Sequence, residues 1–221
     1  MTTPTVEAYL EIIYMMSVEG QPVIGARLAE SLHVSRPTVT ATLKRMARDG
    51  LIKLNEHKEI TMTPKGQAIA ERLQHRHRIV ERWLTDVLGY DWAKSDAEAH
   101  RLEHAMSDEV AELLNKHLGY PTTCPHGNPI PGNAKSMAPG AKVFQLSAAK
   151  HGDALIITRI SEYAENVSEL LDYLGAQGTV PGAKISVVEV APLRGPLTMK
   201  VGSRTVAMSR EVASFVWVKK E

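Results

Sequence analysis

The sequence predicts two architectures in one chain: a mainly α N-terminal part, made of a winged helix-turn-helix and a helical dimerisation domain, and a small C-terminal SH3-like β-barrel. Three observations lead there. Apolar residues recur with helical spacing, between recognisable caps, through residues 3–118. A stretch with five prolines and two glycines, Tyr120–Pro139, interrupts them. From Lys142 onward, short β-prone runs dominate, with one helix among them. The expected divisions are 1–64 for the winged domain, 65–120 for the helical domain, 121–141 for a proline-rich linker and 142–221 for the barrel.

Composition restricts the function classes. At 221 residues, 43% hydrophobic and 23% charged, the chain has an ordinary globular composition. It contains no apolar run near the ~18 residues needed to span a bilayer and no charged-then-apolar leader, so a cytoplasmic protein with no membrane partner is expected. The single Cys124 makes no intrachain disulfide, in keeping with a reducing compartment. A net charge of +1 means that any nucleic-acid binding uses a local patch. Of nine histidines, His75, His77, His100, His104 and His126 fall at or near candidate metal positions.

Residues 3–18 read as a helix with Thr3 and Pro4 at its start and Val6, Leu10, Ile13 and Tyr14 on its apolar stripe. Glu7 and Glu11 lie on one side, for which a solvated acidic edge is the plainer reading. Gly20 to Pro22 ends the helix. Residues 24–33 form a short second helix. Ser35 then caps a third, Pro37 fits its first turn, and Gly50 stops it. Val39, Leu43 and Met46 form the buried stripe of this third helix, leaving Thr38, Thr40, Ala41, Thr42, Lys44, Arg45 and Arg48 on the remaining surface. Two β-prone runs around Asn55–Lys58 make a hairpin. Helix, short helix, turn, helix and hairpin is the winged helix-turn-helix pattern. A helix that begins with small hydroxyl side chains enters the ~12 Å major groove by its N-terminus. Lys53 and Lys58 in the hairpin reach phosphates.

Pro64 opens a long helix that Gly89 closes, with an apolar stripe of Ile69, Leu73, Ile79, Val80, Trp83, Leu84, Val87 and Leu88 suited to a dimer interface. Beside it, His77 and Glu81 are four residues apart. Two further helical stretches follow, the second capped by Ser107. The first contains His100, Glu103 and His104, which at i, i+3 and i+4 share one helix face and bring imidazole, carboxylate and imidazole to one spot. Such a face binds a divalent metal and leaves coordination positions open. In the linker, Cys124 and His126 form a Cys-Pro-His pair able to supply two ligands. The plainer reading is a buried small residue beside a surface histidine.

With these motifs in place, the chain resembles the diphtheria toxin repressor family of metal-dependent regulators, and most closely its manganese-responsive members. The motifs are TVEAYLEIIYMM, SRPTVTATLKRMARDGLI, MTPKG, HRHRIVERWLTDVLG, LEHAMSDEV and GNPIPG, which occur in the family's order over most of the first 132 residues. The resemblance implies a homodimer that binds palindromic double-stranded DNA when loaded with Mn(II) or Fe(II), and represses metal-uptake genes. Its primary metal site would use His100, Glu103 and His104. The first helix supplies a further ligand at the position of Ala8, which cannot bind. Glu11, one turn on, matches a carboxylate of a manganese-type member. His77 and Glu81 match ligands of a neighbouring site. Some manganese-type members also use a Cys and a His at the positions of Cys124 and His126, with the Glu81 carboxylate and an acidic residue of the SH3-like domain. Glu162, Glu165 and Glu169 are the candidates for that residue, with Glu165 and Glu169 preferred for their i, i+4 spacing. On the DNA side the resemblance puts Ser35, Pro37 and Ala41 near base edges. Thr38, Thr40 and Thr42 serve phosphates or bases, and Arg27, Arg36 and Lys44 the backbone.

Ligand softness bears on the metal. With Ala8 and His100 where iron-type members have thioether and thiol, the primary site holds only nitrogen and oxygen donors, which suit Mn(II), or Fe(II), with little sulfur-based preference. The Irving–Williams order makes activation by other divalent transition metals expected in vitro. Two other readings stand beside this one. One is a winged-helix regulator sensing a small organic ligand. The other is a zinc hydrolase using the H-x-x-E-H run at His100–His104, which formally resembles the inverted zinc-protease motif but lacks any further catalytic constellation.

Overall fold

The structure, a computed structural model, describes residues 3–134, 143–165 and 168–221, with the backbone alone for Glu165 and Ser168. It separates into two compact units. The first comprises Met1–Arg76 and Glu103–Met106, the second His77–Leu102 and Ser107–Glu221.

In the first unit, α1 (Pro4–Val18) starts after Thr3, whose side chain makes no capping bond, and buries Val6, Leu10, Ile13 and Tyr14. α2 (Gly25–Ser31) is followed by α3 (Arg36–Arg48). Ser35 caps α3: its Oγ accepts from the Thr38 amide at 3.3 Å and shares a hydrogen bond of 2.8 Å with the Thr38 hydroxyl. Losing such a cap costs about 1 kcal/mol, so Ser35→Ala is expected to lower the chemical-denaturation midpoint of the first unit accordingly. α3 turns out at Gly50, in the left-handed region at φ 70°. Strands β1 (Ile52–Leu54) and β2 (Ile60–Met62) pair antiparallel as a hairpin, and its tip is the expected 55–58 segment. α4 (Pro64–Arg82) begins against β1, where the Gly66 backbone approaches Leu51 so closely that a Cβ would stand 2.1 Å from its carbonyl oxygen.

The second unit takes up α4 at His77. The helix does not continue regularly to Gly89. Trp83–Val87 form a π-helical turn, which advances the register and leaves Val87 and Leu88 exposed. α5 (Ser95–Glu103) and α6 (Asp108–His117) follow, the latter capped by Ser107 as expected. Val110 and Leu113, one turn apart on α6, are also exposed. Exposed aliphatic side chains on a helical domain of this kind suit contact with a second copy.

Six antiparallel strands form the remaining sheet in the order β3-β8-β4-β5-β6-β7, from β3 (Val143–Gln145), β4 (Ala154–Ile160), β5 (Lys184–Val190), β6 (Leu197–Val201), β7 (Arg204–Met208) and β8 (Val216–Lys220). Register shifts in β4 and β5 bend the sheet over a core that includes Leu155, Ile157, Leu171, Leu174, Met199 and Val218. This is the SH3-like architecture expected from the sequence. The helix expected here is present as α7 (Glu162–Glu165) and α8 (Ser168–Ala176), on either side of residues 166–167, which are outside the described residues. Among the described residues, no helix is long and apolar enough to cross a membrane.

Candidate metal centre

Each unit contributes acidic and imidazole groups, and each is described by itself. In the first unit Glu11 is no solvated edge. It sits on the buried face of α1, and its Oε1 accepts from Gln74 Nε2 at 3.3 Å. Glu103, the last residue of α5, is fully buried, and its carboxylate comes within 4.8 Å of that of Glu11. Two ionised carboxylates removed from water at this separation repel each other, and a cation received there relieves the repulsion. His104 departs from the expected helix face because α5 closes at Glu103 and His104 lies in the following turn. Its Nδ1 is 3.3 Å from Glu7 Oε2 and its Nε2 is 3.3 Å from Glu103 Oε1. Ala8 on α1 has no donor atom to offer.

In the second unit His77 is buried and His100 exposed, with ring nitrogens within 4.8 Å of each other. His77 Nε2 also lies 3.1 Å from Asp96 Oδ1 and 3.8 Å from Glu81 Oε2. Asp96 is a candidate ligand that sequence reasoning missed. Its signal was its position four residues before His100, one turn away on the same helix face.

Glu81 faces two ways. Its Oε1 lies 2.8 Å from His126 Nδ1, while its Oε2 is buried without a hydrogen-bond partner. Cys124 completes a group in which carboxylate oxygen, sulfur and imidazole nitrogen lie within 4.8 Å of one another. All three residues are buried, which corrects the reading of His126 as a surface residue. The turn that carries them is held by Cys124 N to Asn128 O at 2.8 Å and Gly127 N to Cys124 O at 3.0 Å. Trp92 braces it, its carbonyl 3.1 Å from His126 Nε2 and its ring tilted against the imidazole at 4.6 Å. A mixed S/N/O donor set with a buried, unsatisfied carboxylate oxygen fits a divalent transition metal.

Of the acidic candidates on the SH3-like part, Glu162 is buried and bonded to the Arg78 guanidinium. Glu169 is exposed on α8, and the expected i, i+4 pairing of Glu165 with Glu169 runs across residues 166–167, which lie outside the described residues. The side chain of Glu165 lies outside the described residues.

On α3, Ser35, Arg36, Pro37, Thr38, Thr40, Ala41 and Lys44 are exposed. Thr42 departs from the surface position expected of it: three residues after Val39 and four before Met46, it falls on the buried stripe. Thr40 donates to Arg36 O at 3.0 Å, and half-buried Arg27 donates to Gln21 at 2.7 Å. Between α3 and the hairpin lies a cavity of about 550 Å³ whose lining includes Arg36, Thr40, Lys44, His57 and Lys58.

Residues 1–60 match the N-terminal DNA-binding domain of iron-dependent repressors, residues 63–132 match their metal-binding and dimerisation domain, and residues 144–220 match the FeoA domain. The chain is 37% identical over 224 residues to the iron-dependent repressor IdeR of Mycobacterium leprae, covering 98% of this chain and 97% of that protein. It is 33% identical over 222 residues to the diphtheria toxin repressor of Corynebacterium diphtheriae, covering 97% and 96%. Among solved structures, a manganese-dependent transcriptional repressor in complex with manganese superposes with a TM-score of 0.86 at 29% identity, covering 98% of this chain and all of that one.

Proposed function

The chain belongs to the iron-dependent repressor family, and from that premise we propose that it is a cytoplasmic, homodimeric repressor that binds palindromic operators of metal-uptake genes when loaded with Mn(II). Glu11, His77, His100, Glu103 and His104 are its sensing ligands, and Glu81, Cys124 and His126 form a second centre. The limits taken for its parts are 1–64 for the winged domain, 65–120 for the helical domain, 121–141 for the linker and 142–221 for the barrel. The observation that carries the reading is the approach of two buried carboxylates, Glu11 and Glu103, to within 4.8 Å. Carboxylate and imidazole donors without sulfur favour Mn(II) or Fe(II) over soft ions, and the absence of thioether and thiol at Ala8 and His100 favours manganese. Membership of a family of DNA-binding repressors, and the place of His104 outside the helix, set aside the hydrolase reading.

A divalent cation supplies the positive charge that lets Glu11 and Glu103 stay ionised out of water. The chain's own residues translate that into DNA affinity. Glu11 belongs to α1, which packs on α2 and β2 of the winged domain. Glu103 and His104 hold the 103–106 segment to α1, through each other and through Glu7. With the carboxylates reconciled, α1 is fixed and α3 is presented in one orientation. The two α3 helices of a dimer then meet successive major grooves about 34 Å apart.

The test is fluorescence anisotropy on a duplex selected from a random pool by metal-loaded protein, at fixed salt because phosphate contacts make the affinity salt-dependent. Binding is expected to be lost in EDTA and restored by Mn(II). Equal binding in chelator would overturn the reading.

A further inference from the structure

Arg78 is a buried cation that the sensing mechanism does not use. It is 2% exposed, three residues before Glu81 on α4, and so beside it on one helix face. A guanidinium taken out of water costs several kcal/mol unless it is paired and hydrogen-bonded. Here one branch donates to the carbonyl of Pro129 and the other to the carboxylate of Glu162. Both partners adjoin the second centre. Pro129 follows the turn that carries Cys124 and His126. Glu162 follows β4, whose end is stitched to the same turn by Ile160 N to His126 O at 2.8 Å and Asn128 Nδ2 to Ile160 O at 3.1 Å. Among the described residues, Glu81, Cys124 and His126 provide three donors, one short of the four that a closed structural site uses.

We propose that Arg78 sets the affinity of the Glu81–Cys124–His126 centre by competing with its metal for Glu162. The inference rests on the reading of that centre as a metal site. The guanidinium and the divalent cation are alternative counter-ions for one buried carboxylate. While Arg78 holds Glu162, the centre keeps three protein donors and stays open to exchange. The positive charge of Arg78, about one helical turn from Glu81 on the same face, also opposes a second cation nearby. Arg78 is therefore a positioning residue that keeps this centre regulatory and prevents it from closing as a permanent structural site.

The experiment uses the full chain and Co(II). Because Cys124 is the sole cysteine, a near-ultraviolet thiolate-to-Co(II) charge-transfer band reports this centre alone, and competition with a chromophoric chelator gives its affinity. Arg78→Met, which keeps an apolar stem and removes the charge, is expected to tighten Co(II) binding about tenfold, the scale on which outer partners tune metal sites. Glu162→Gln is expected to abolish the gain from Arg78→Met in the double variant. Arg78→Lys, which cannot reach Pro129 and Glu162 together, guards against a folding failure of Arg78→Met and is expected to tighten binding by a smaller factor. A merely structural role for Arg78 predicts unchanged or weaker Co(II) binding in both Arg78 variants, and that result overturns the inference. No thiolate band in the parent chain would overturn the metal centre itself, and the inference with it.

Discussion

Glu103→Ala is expected to lower metal-dependent operator affinity about 100-fold, the upper part of the usual range of coupling between two linked sites, while the chain still folds and dimerises. Glu103 is fully buried against Glu11, and it is half of the carboxylate pair on which a metal would act. The companion variant Glu103→Gln separates charge from packing. It keeps the shape and removes the repulsion, so the metal-free variant is expected to melt above the metal-free parent. The parent, in turn, gains about 2.7 kcal/mol from Mn(II) at a hundred times its dissociation constant, and the variant gains little. Thermal melts with and without Mn(II), alongside anisotropy, check all of this. Retained metal-dependent DNA binding in Glu103→Ala would remove Glu103 from the mechanism.

Gly127→Ala is expected to destabilise the second unit by about 3–5 kcal/mol, among the largest effects of a single substitution. Gly127 has φ 86°, where an L side chain is strained, and its Cβ would stand 2.3 Å from Thr158 O and 2.8 Å from Arg159 Cα. Both obstacles are backbone atoms of β4, so relief requires moving the Cys124–His126 turn off the strand. Chemical denaturation of the variant should show the loss in the second unit while Ser35-capped α3 and its unit unfold as before. A shift under about 1 kcal/mol would mean that the turn is freer than its hydrogen bonds imply.

The fold was legible wherever local chemistry and tertiary packing agree. Ser35 and Pro37 mark the start of α3, Gly50 its end, Pro64 the start of α4 and Ser107 the cap of α6, because each acts through its own backbone. The β-prone runs became strands since branched residues alternate with polar ones along them. What escaped was set by contacts distant in sequence. Nothing in LEHAM stops a helix, yet α5 ends at Glu103 and the turn takes His104 to Glu7. A π-helical turn after Arg82 has no signal in the apolar stripe, which reads as one regular helix to Gly89. Thr42 reads as a surface hydroxyl among polar neighbours, but its spacing from Val39 and Met46 buries it. Helix α9 (Arg210–Ser214) is too short for periodicity to reveal.

The site was legible in its residue types and less so in its partners. Glu11, His77, Glu103 and His104 announced themselves by spacing and by resemblance. Asp96 did not, being one acidic residue in a first helical turn where acids are common. Glu162 was passed over for Glu165 and Glu169 because i, i+4 spacing was weighed and burial was not. Its buried partner Arg78 lies 84 residues away, a separation that no local pattern expresses.

The central claim is that metal and DNA act on one linked equilibrium through Glu11 and Glu103, and linkage is reciprocal. The most direct test measures the Mn(II) affinity of the chain with and without saturating operator duplex. Operator is expected to tighten Mn(II) binding by the same factor by which Mn(II) tightens operator binding, and that factor should fall to near unity in Glu11→Gln and Glu103→Gln. Mn(II) affinity that is identical with and without operator, in a chain whose DNA binding still needs the metal, would contradict it.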